Sequence, residues 1–150
     1  MKEVKYIPGD LVMTNGVPLC TAKDVVYRVT SSDPSKTLKL DDGTVLKGVV
    51  CLENIEGAEF GEKGYLFGDC CAWVKDIVAI PLTPEILKKN GWEKLYEKFF
   101  EKNVNNIRLT IELSENIYVA INRIFIMEIH YIHELQHLLF GLGINHKMEV

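Results

Sequence analysis

Residues His133–His137 read HELQH. This is the H-E-x-x-H spacing by which one helix face offers two histidines, a turn apart, to zinc while the glutamate activates a bound water. Glu134 occupies the general-base position, and His133 and His137 the ligand positions. A catalytic zinc needs a third protein ligand. In sites that extend the motif, that ligand is a histidine six residues beyond the second one, and here the position is Gly143. His146 comes three residues later, and His130, three residues before His133, would complete a His130, His133, His137 cluster. The motif is therefore expected to be a coincidence on a structural or interface helix, with no metal and no cofactor. The zinc hydrolase stays open as a third reading.

No other catalytic set is legible. Cys20, Cys51, Cys70 and Cys71 show no C-x-x-C spacing, which is poor geometry for a zinc ribbon. They read as small buried hydrophobes with reduced thiols, with Cys70 and Cys71 as a minor redox option. Four glycines between Asn54 and Gly68 fit neither phosphate-binding spacing and suggest a connector. The chain has 47% apolar and 25% charged residues and a formal net charge of −4. That balance predicts a globular protein with no global attraction to nucleic acid or anionic membranes. No apolar run has signal-peptide or membrane-spanning character, so a cytoplasmic protein is expected.

The elements that would position these residues fall into two groups. Short alternating runs from Leu11 to about Glu53 (LVM, PLCTA, DVVYRVTS, KTLKL, TVLKGVVCLE) are separated by Asn15-Gly16, Lys23-Asp24, Ser31–Ser35 and Asp42-Gly43, and predict an SH3-like small β-barrel. CAWVKDIVAIPL reads as a buried strand or strand pair. Thr83-Pro84-Glu85 is a helix start and Asn90-Gly91 its stop. The run from Trp92 to Asn103 fits both helix and strand. IRLTIEL, NIYVAIN and RIFIMEIH predict an antiparallel sheet. A last helix from about Tyr131 to Gly143 places Ile132, Leu135, Leu139 and Leu142 on one face, and His133, Gln136, His137 and Phe140 on the other. The expected fold class is α+β: an SH3-like segment over residues 1–56, a connector and strand over 57–79, and an α+β segment over 80–150 whose sheet is flanked by two helices.

The segments IPLTPEILKKNGWEK (Ile80–Lys94) and IHYIHELQHLLFGLG (Ile129–Gly143) resemble a family of small proteins, without an established common function, from Bacteroidetes phages, prophages and their hosts. The family opens with a segment like PGDLVM (Pro8–Met13) and closes with a helix of the form Y-V-H-[QE]-L-Q-N-L-Y-F-A-L-T-G. Tyr131, His133, Leu135, Gln136, Leu138, Phe140 and Leu142 match that helix, and His137 stands where the family often has asparagine. The resemblance implies a phage accessory protein in the bacterial cytoplasm whose work is binding. The preferred form is sequestration of a small, nucleotide-derived host immune signal. Trp92 would stack on a base, Lys88 and Lys89 would supply cations, and His133, Gln136 and His137 would read polar edges. The alternative is a protein-interaction module that binds a host or phage protein, or its own copies as a homo-oligomer.

Overall fold

A computed structural model describes residues 6–18, 21, 23–54 and 70–150. Cys20 and the glycine-containing segment expected as a connector lie outside the described residues. The chain is α+β, with two five-stranded antiparallel sheets and two helices, and it divides into two compact units, Met1–Ile80 and Pro81–Val150.

The first unit contains β1 (Leu11–Thr14), β2 (Tyr27–Lys39), β3 (Val45–Asn54), β4 (Cys70–Trp73), a 3-10 turn (Val74–Asp76) and β5 (Ile77–Val78), arranged in the open order β4-β3-β2-β1-β5. The alternation in VVYRV works as expected. Tyr27 and Val29 are buried and pack with Tyr6, Val12, Val50, Leu52 and Ala72, while Arg28 turns outward to pair with Glu53 at 3.2 Å. Asp42-Gly43 makes the expected hairpin, in which Asp42 Oδ1 accepts the Thr44 N–H at 2.9 Å and Gly43 adopts φ +90°. The expected break at Ser31–Ser35 is not a break. Strand β2 runs through it, with register shifts after Val29 and after Asp33. Ladder pairing to β3 outweighs the local turn preference of Asp33-Pro34-Ser35, which survives as a bulge. Opposite lies Gly48, at φ +86°, where a Cβ would come within 2.8 Å of Val74 Cγ2, so no larger residue fits. In the expected PLCTA strand, Pro18 and Thr21 are irregular, and the rest lies outside the described residues.

The second unit starts with α1 (Pro84–Lys89), capped by Thr83, whose Oγ1 accepts the Ile86 N–H at 3.3 Å. Five strands follow, β6 (Glu93–Tyr96), β7 (Phe99–Val104), β8 (Ile107–Leu113), β9 (Ile117–Ile121) and β10 (Ile124–Ile129), each paired with the next, and then α2 (Ile132–Gly141). Residues 93–104, ambiguous in sequence, are thus a hairpin. Phe100, Ile111 and Val119 are in register on one buried face, whereas Phe99, Glu112 and Tyr118 are in register on the other.

Both helices end in the same way. After α1, Gly91 takes φ +85°, its N–H donates to Lys88 O at 3.2 Å, and the Trp92 N–H donates to Leu87 O at 3.0 Å. After α2, Gly143 takes φ +72°, its N–H donates to Phe140 O at 3.0 Å, and the Ile144 N–H donates to Leu139 O at 2.9 Å. These are Schellman stops, in which the residue after the glycine folds an apolar side chain back onto the helix. Trp92 and Ile144 fill that role, and both are buried.

Candidate functional site

Each polar position of HELQH has a structural neighbour. Glu134 Oε1 accepts the backbone N–H groups of His130 at 3.0 Å and Tyr131 at 3.1 Å, so its carboxylate holds the first turn of α2 in the manner of a capping-box glutamate. His133 is buried, stacked on the Tyr131 ring at 5.9 Å, with the His137 ring edge-on to it at 5.5 Å. His130 pairs with Glu128 at 3.3 Å, and His146 packs edge-on against Phe140 at 5.1 Å. Gly143 ends the helix, as described above. Among the described residues no group of three or more His, Cys, Asp or Glu is placed to hold a metal ion.

The two segments that carry the family resemblance do meet. Pro81 bridges to Tyr131, and the Leu82 N–H donates to His130 O at 3.3 Å. The six residues expected to bind ligand are nevertheless distributed between surface and interior. Trp92 is only 3% exposed and Gln136 0%, so neither a ring face nor a free amide is presented. Gln136 Nε2 donates to His146 O at 2.9 Å. The α2 face expected to be polar is therefore partly interior. Lys88 and Lys89 are exposed, and Lys89 Nζ donates to Val150 O at 2.9 Å. His133 and His137 touch each other.

A different set of residues converges at one end of the second sheet. Two two-residue hairpin turns, Asn105-Asn106 between β7 and β8 and Asn122-Arg123 between β9 and β10, have φ values of 51°, 66°, 49° and 69°. Positive φ at both central residues matches the right-handed twist of the flanking strands, and asparagine tolerates it well. The turns are tied together, because the Arg108 N–H donates to Asn122 Oδ1 at 2.9 Å and the Asn122 N–H to Arg108 O at 2.8 Å. Between them lies a polar cleft of about 470 Å³ lined by Asn103, Asn105, Asn106, Arg108, Asn122 and Arg123. Glu101 forms an ion pair with Arg108 Nε at 3.4 Å and accepts from Asn103 Nδ2 at 3.1 Å, which orients those two groups.

Arg123 also lines a second concavity of about 420 Å³ on the sheet face, beside Phe99, Tyr118 and Phe125. Tyr118 and Phe125 meet edge to face at 5.6 Å. Cations, amides and exposed aromatic surface thus adjoin at Arg123. These residues do not stand out in the sequence, because asparagine-rich turns look like ordinary hairpin punctuation. The available signal was Asn122-Arg123, an arginine at the turn position that favours glycine.

Compared with known protein families, curated proteins and solved structures, the chain matches none of them. Among the described residues no helix is long and apolar enough to cross a membrane.

Proposed function

We propose that this protein is a non-enzymatic binder that sequesters a small nucleotide-derived host immune signal, as a phage or prophage anti-defence protein, and that it takes the ligand at the hairpin end of the second sheet. The observation that carries this reading is Arg123, which joins a cleft of arginine and asparagine side chains to a groove where Phe99, Tyr118 and Phe125 lie beside Thr110, Glu112, Val119 and Ala120. The Arg108 and Arg123 guanidinium groups suit phosphate oxygens, with donors in a planar fork. The asparagine amides both donate and accept, as base edges require. Phe99, Tyr118 and Phe125 supply surface for stacking. Capture needs affinity and abundance but no turnover, and the engagement of Glu134 in the α2 cap fits a binding role.

The test is native mass spectrometry of the full chain mixed with a nucleotide extract of phage-challenged cells, followed by calorimetry with the retained nucleotide and with Arg123→Ala. Retention by wild type and at least a tenfold loss in the variant, on the order of a charge-assisted contact, supports the reading. An empty protein in every extract overturns it.

A second reading, the protein-interaction module, is favoured by β10, the outer strand of its sheet, where Ile124, Phe125 and Ile126 are 66%, 61% and 46% exposed. Consecutive apolar residues on a sheet edge form a template for another chain, whether a host protein or a second copy. Ile126→Lys separates the two readings, since it should disperse oligomers or abolish partner capture while leaving nucleotide retention intact. For the first unit we propose the finer description of an SH3-like small barrel. The strand order and the 3-10 turn between β4 and β5 support it, and strand contacts closing the sheet in solution would establish it.

A further inference from the structure

Cys51 of β3 and Cys71 of β4 stand directly opposite each other in an antiparallel pair, with Sγ atoms 2.9 Å apart and no bond joining them. This pair joins neighbouring strands, whereas the minor redox option read from sequence lay along the chain at Cys70 and Cys71. Opposed residues in an antiparallel ladder have Cα atoms about 4.5 to 5.5 Å apart, which falls inside the range of about 4.4 to 6.8 Å that a disulfide spans. The sulfurs need to close by less than about 1 Å to reach the bond length of about 2.05 Å, and the backbone can stay in place.

We propose that Cys51 and Cys71 form a two-electron thiol–disulfide couple that reacts with small disulfides of the glutathione type. Cys71 is exposed and Cys51 half-buried, which assigns the order of events. The Cys71 thiolate attacks one sulfur of the small disulfide, breaking its S–S bond and expelling one thiolate, to give a mixed disulfide on Cys71. The Cys51 thiolate then attacks Cys71 Sγ and expels the second small thiolate. Two protein thiols are oxidised, the two electrons reduce the small disulfide to two thiols, and the two protons follow them. The second step is intramolecular between atoms already in contact, so the mixed disulfide is short-lived. The product staples β4, the outer strand of its sheet, to β3.

The full-length reduced protein is treated with oxidised glutathione, quenched with an alkylating agent and mapped by mass spectrometry without reduction. Wild type should yield a Cys51–Cys71 linked peptide. Its glutathione adduct on Cys71 should be at least about tenfold lower than in Cys51→Ser, where the mixed disulfide has lost its resolving thiol. Cys71→Ser, at the exposed position, should yield neither product and guards against a folding defect in the buried-side variant. A wild-type protein that keeps glutathione on Cys71, that links Cys71 to Cys70 or Cys20, or that stays reduced while glutathione oxidises control thiols would overturn the proposal.

Discussion

The Asn90 side chain holds both backbone groups of Glu149: its Nδ2 donates to Glu149 O at 2.7 Å, and its Oδ1 accepts the Glu149 N–H at 2.8 Å. The same amide donates to Ile86 O at 2.8 Å, and the Asn90 carbonyl accepts from Lys102 Nζ at 2.8 Å. One residue thus ties the end of α1, strand β7 and the segment after α2. Met148, next to the clamped residue, is buried. The asparagine that sequence reading assigned to stopping a helix also docks the last residues of the chain.

Asn90→Ala removes three side-chain hydrogen bonds at a half-buried site. Partial replacement by water limits the expected loss to about 1–2 kcal/mol, read as a lower urea midpoint with an unchanged slope. Asn90→Asp retains the acceptor for Glu149 N–H but loses both donors and sets a charge against two carbonyls, so it should recover little stability.

Glu134 separates a structural HELQH from a catalytic one. Glu134→Gln keeps an oxygen that can accept from the His130 and Tyr131 N–H groups, so its stability should remain within about 0.5 kcal/mol of wild type. Glu134→Ala should lose about 1 kcal/mol, a typical capping cost. A glutamine variant that unfolds like wild type but abolishes a zinc-dependent hydrolysis would reverse this assignment. Thermal unfolding and a peptide-hydrolysis assay together decide it.

Much of the scaffold was legible because local and global signals agree there. The Thr83-Pro84-Glu85 start, the stops at Gly91 and Gly143, the Asp42-Gly43 hairpin and the three strands before α2 all follow from cap, turn and period rules. The segment from Trp92 to Asn103 was not, because its apolar residues fit both a helical stripe and an alternating strand, and only pairing with β8 selects the latter. The sequence-based choice of ligand residues took in buried side chains for a related reason. An indole beside two lysines suggests a ligand platform, yet the residue after a Schellman glycine is driven inward, and Trp92 follows Gly91. Arg123, Phe99 and Tyr118 meet only through strand registers that join residues far apart in sequence.

Gln136 is the most deeply buried polar side chain of α2, and its amide spans to the carbonyl of His146 at 2.9 Å. Gln136→Leu matches its size roughly but leaves that carbonyl without this donor. The expected cost is about 1–3 kcal/mol, seen as a lower melting temperature. Gln136→Glu should be worse, since a charge would enter an interior position.

Asp42 and Asp33 should set part of the acid sensitivity of the first sheet. Hydrogen bonds from the Thr44 backbone and side chain hold the Asp42 carboxyl below its usual range, and the Ser35 side chain and backbone do the same for Asp33. Because the folded value is depressed, each contribution is present above the unfolded value and is lost as pH falls through the folded one. Carboxyl carbon resonances followed by NMR should therefore titrate below the peptide reference of about 3.9 in wild type. Thr44→Val should move the Asp42 midpoint upward, though not fully, because the backbone N–H donor remains. A midpoint at or above the reference would contradict the Asp42 turn geometry.

Arg123→Gly tests the proposed binding site against stability. At φ 69° it occupies a left-handed conformation that disfavours side chains with a Cβ by about 1 kcal/mol, at a turn position where glycine fits without strain. Arg123→Gly should therefore raise the unfolding free energy by up to about 1 kcal/mol, offset in part by the greater freedom glycine gives the unfolded chain. If the cleft between the hairpins binds an anionic nucleotide, the same variant should lose at least about tenfold in affinity, the equivalent of one charge-assisted contact. Asn122→Gly, at the neighbouring turn position, removes the acceptor for the Arg108 N–H but keeps both arginines, so it should weaken binding less than Arg123→Gly does. Urea unfolding and calorimetry on the three proteins decide the matter. A strained arginine that can be replaced with a gain in stability and no loss of nucleotide binding would mean that the cleft is an ordinary hairpin surface.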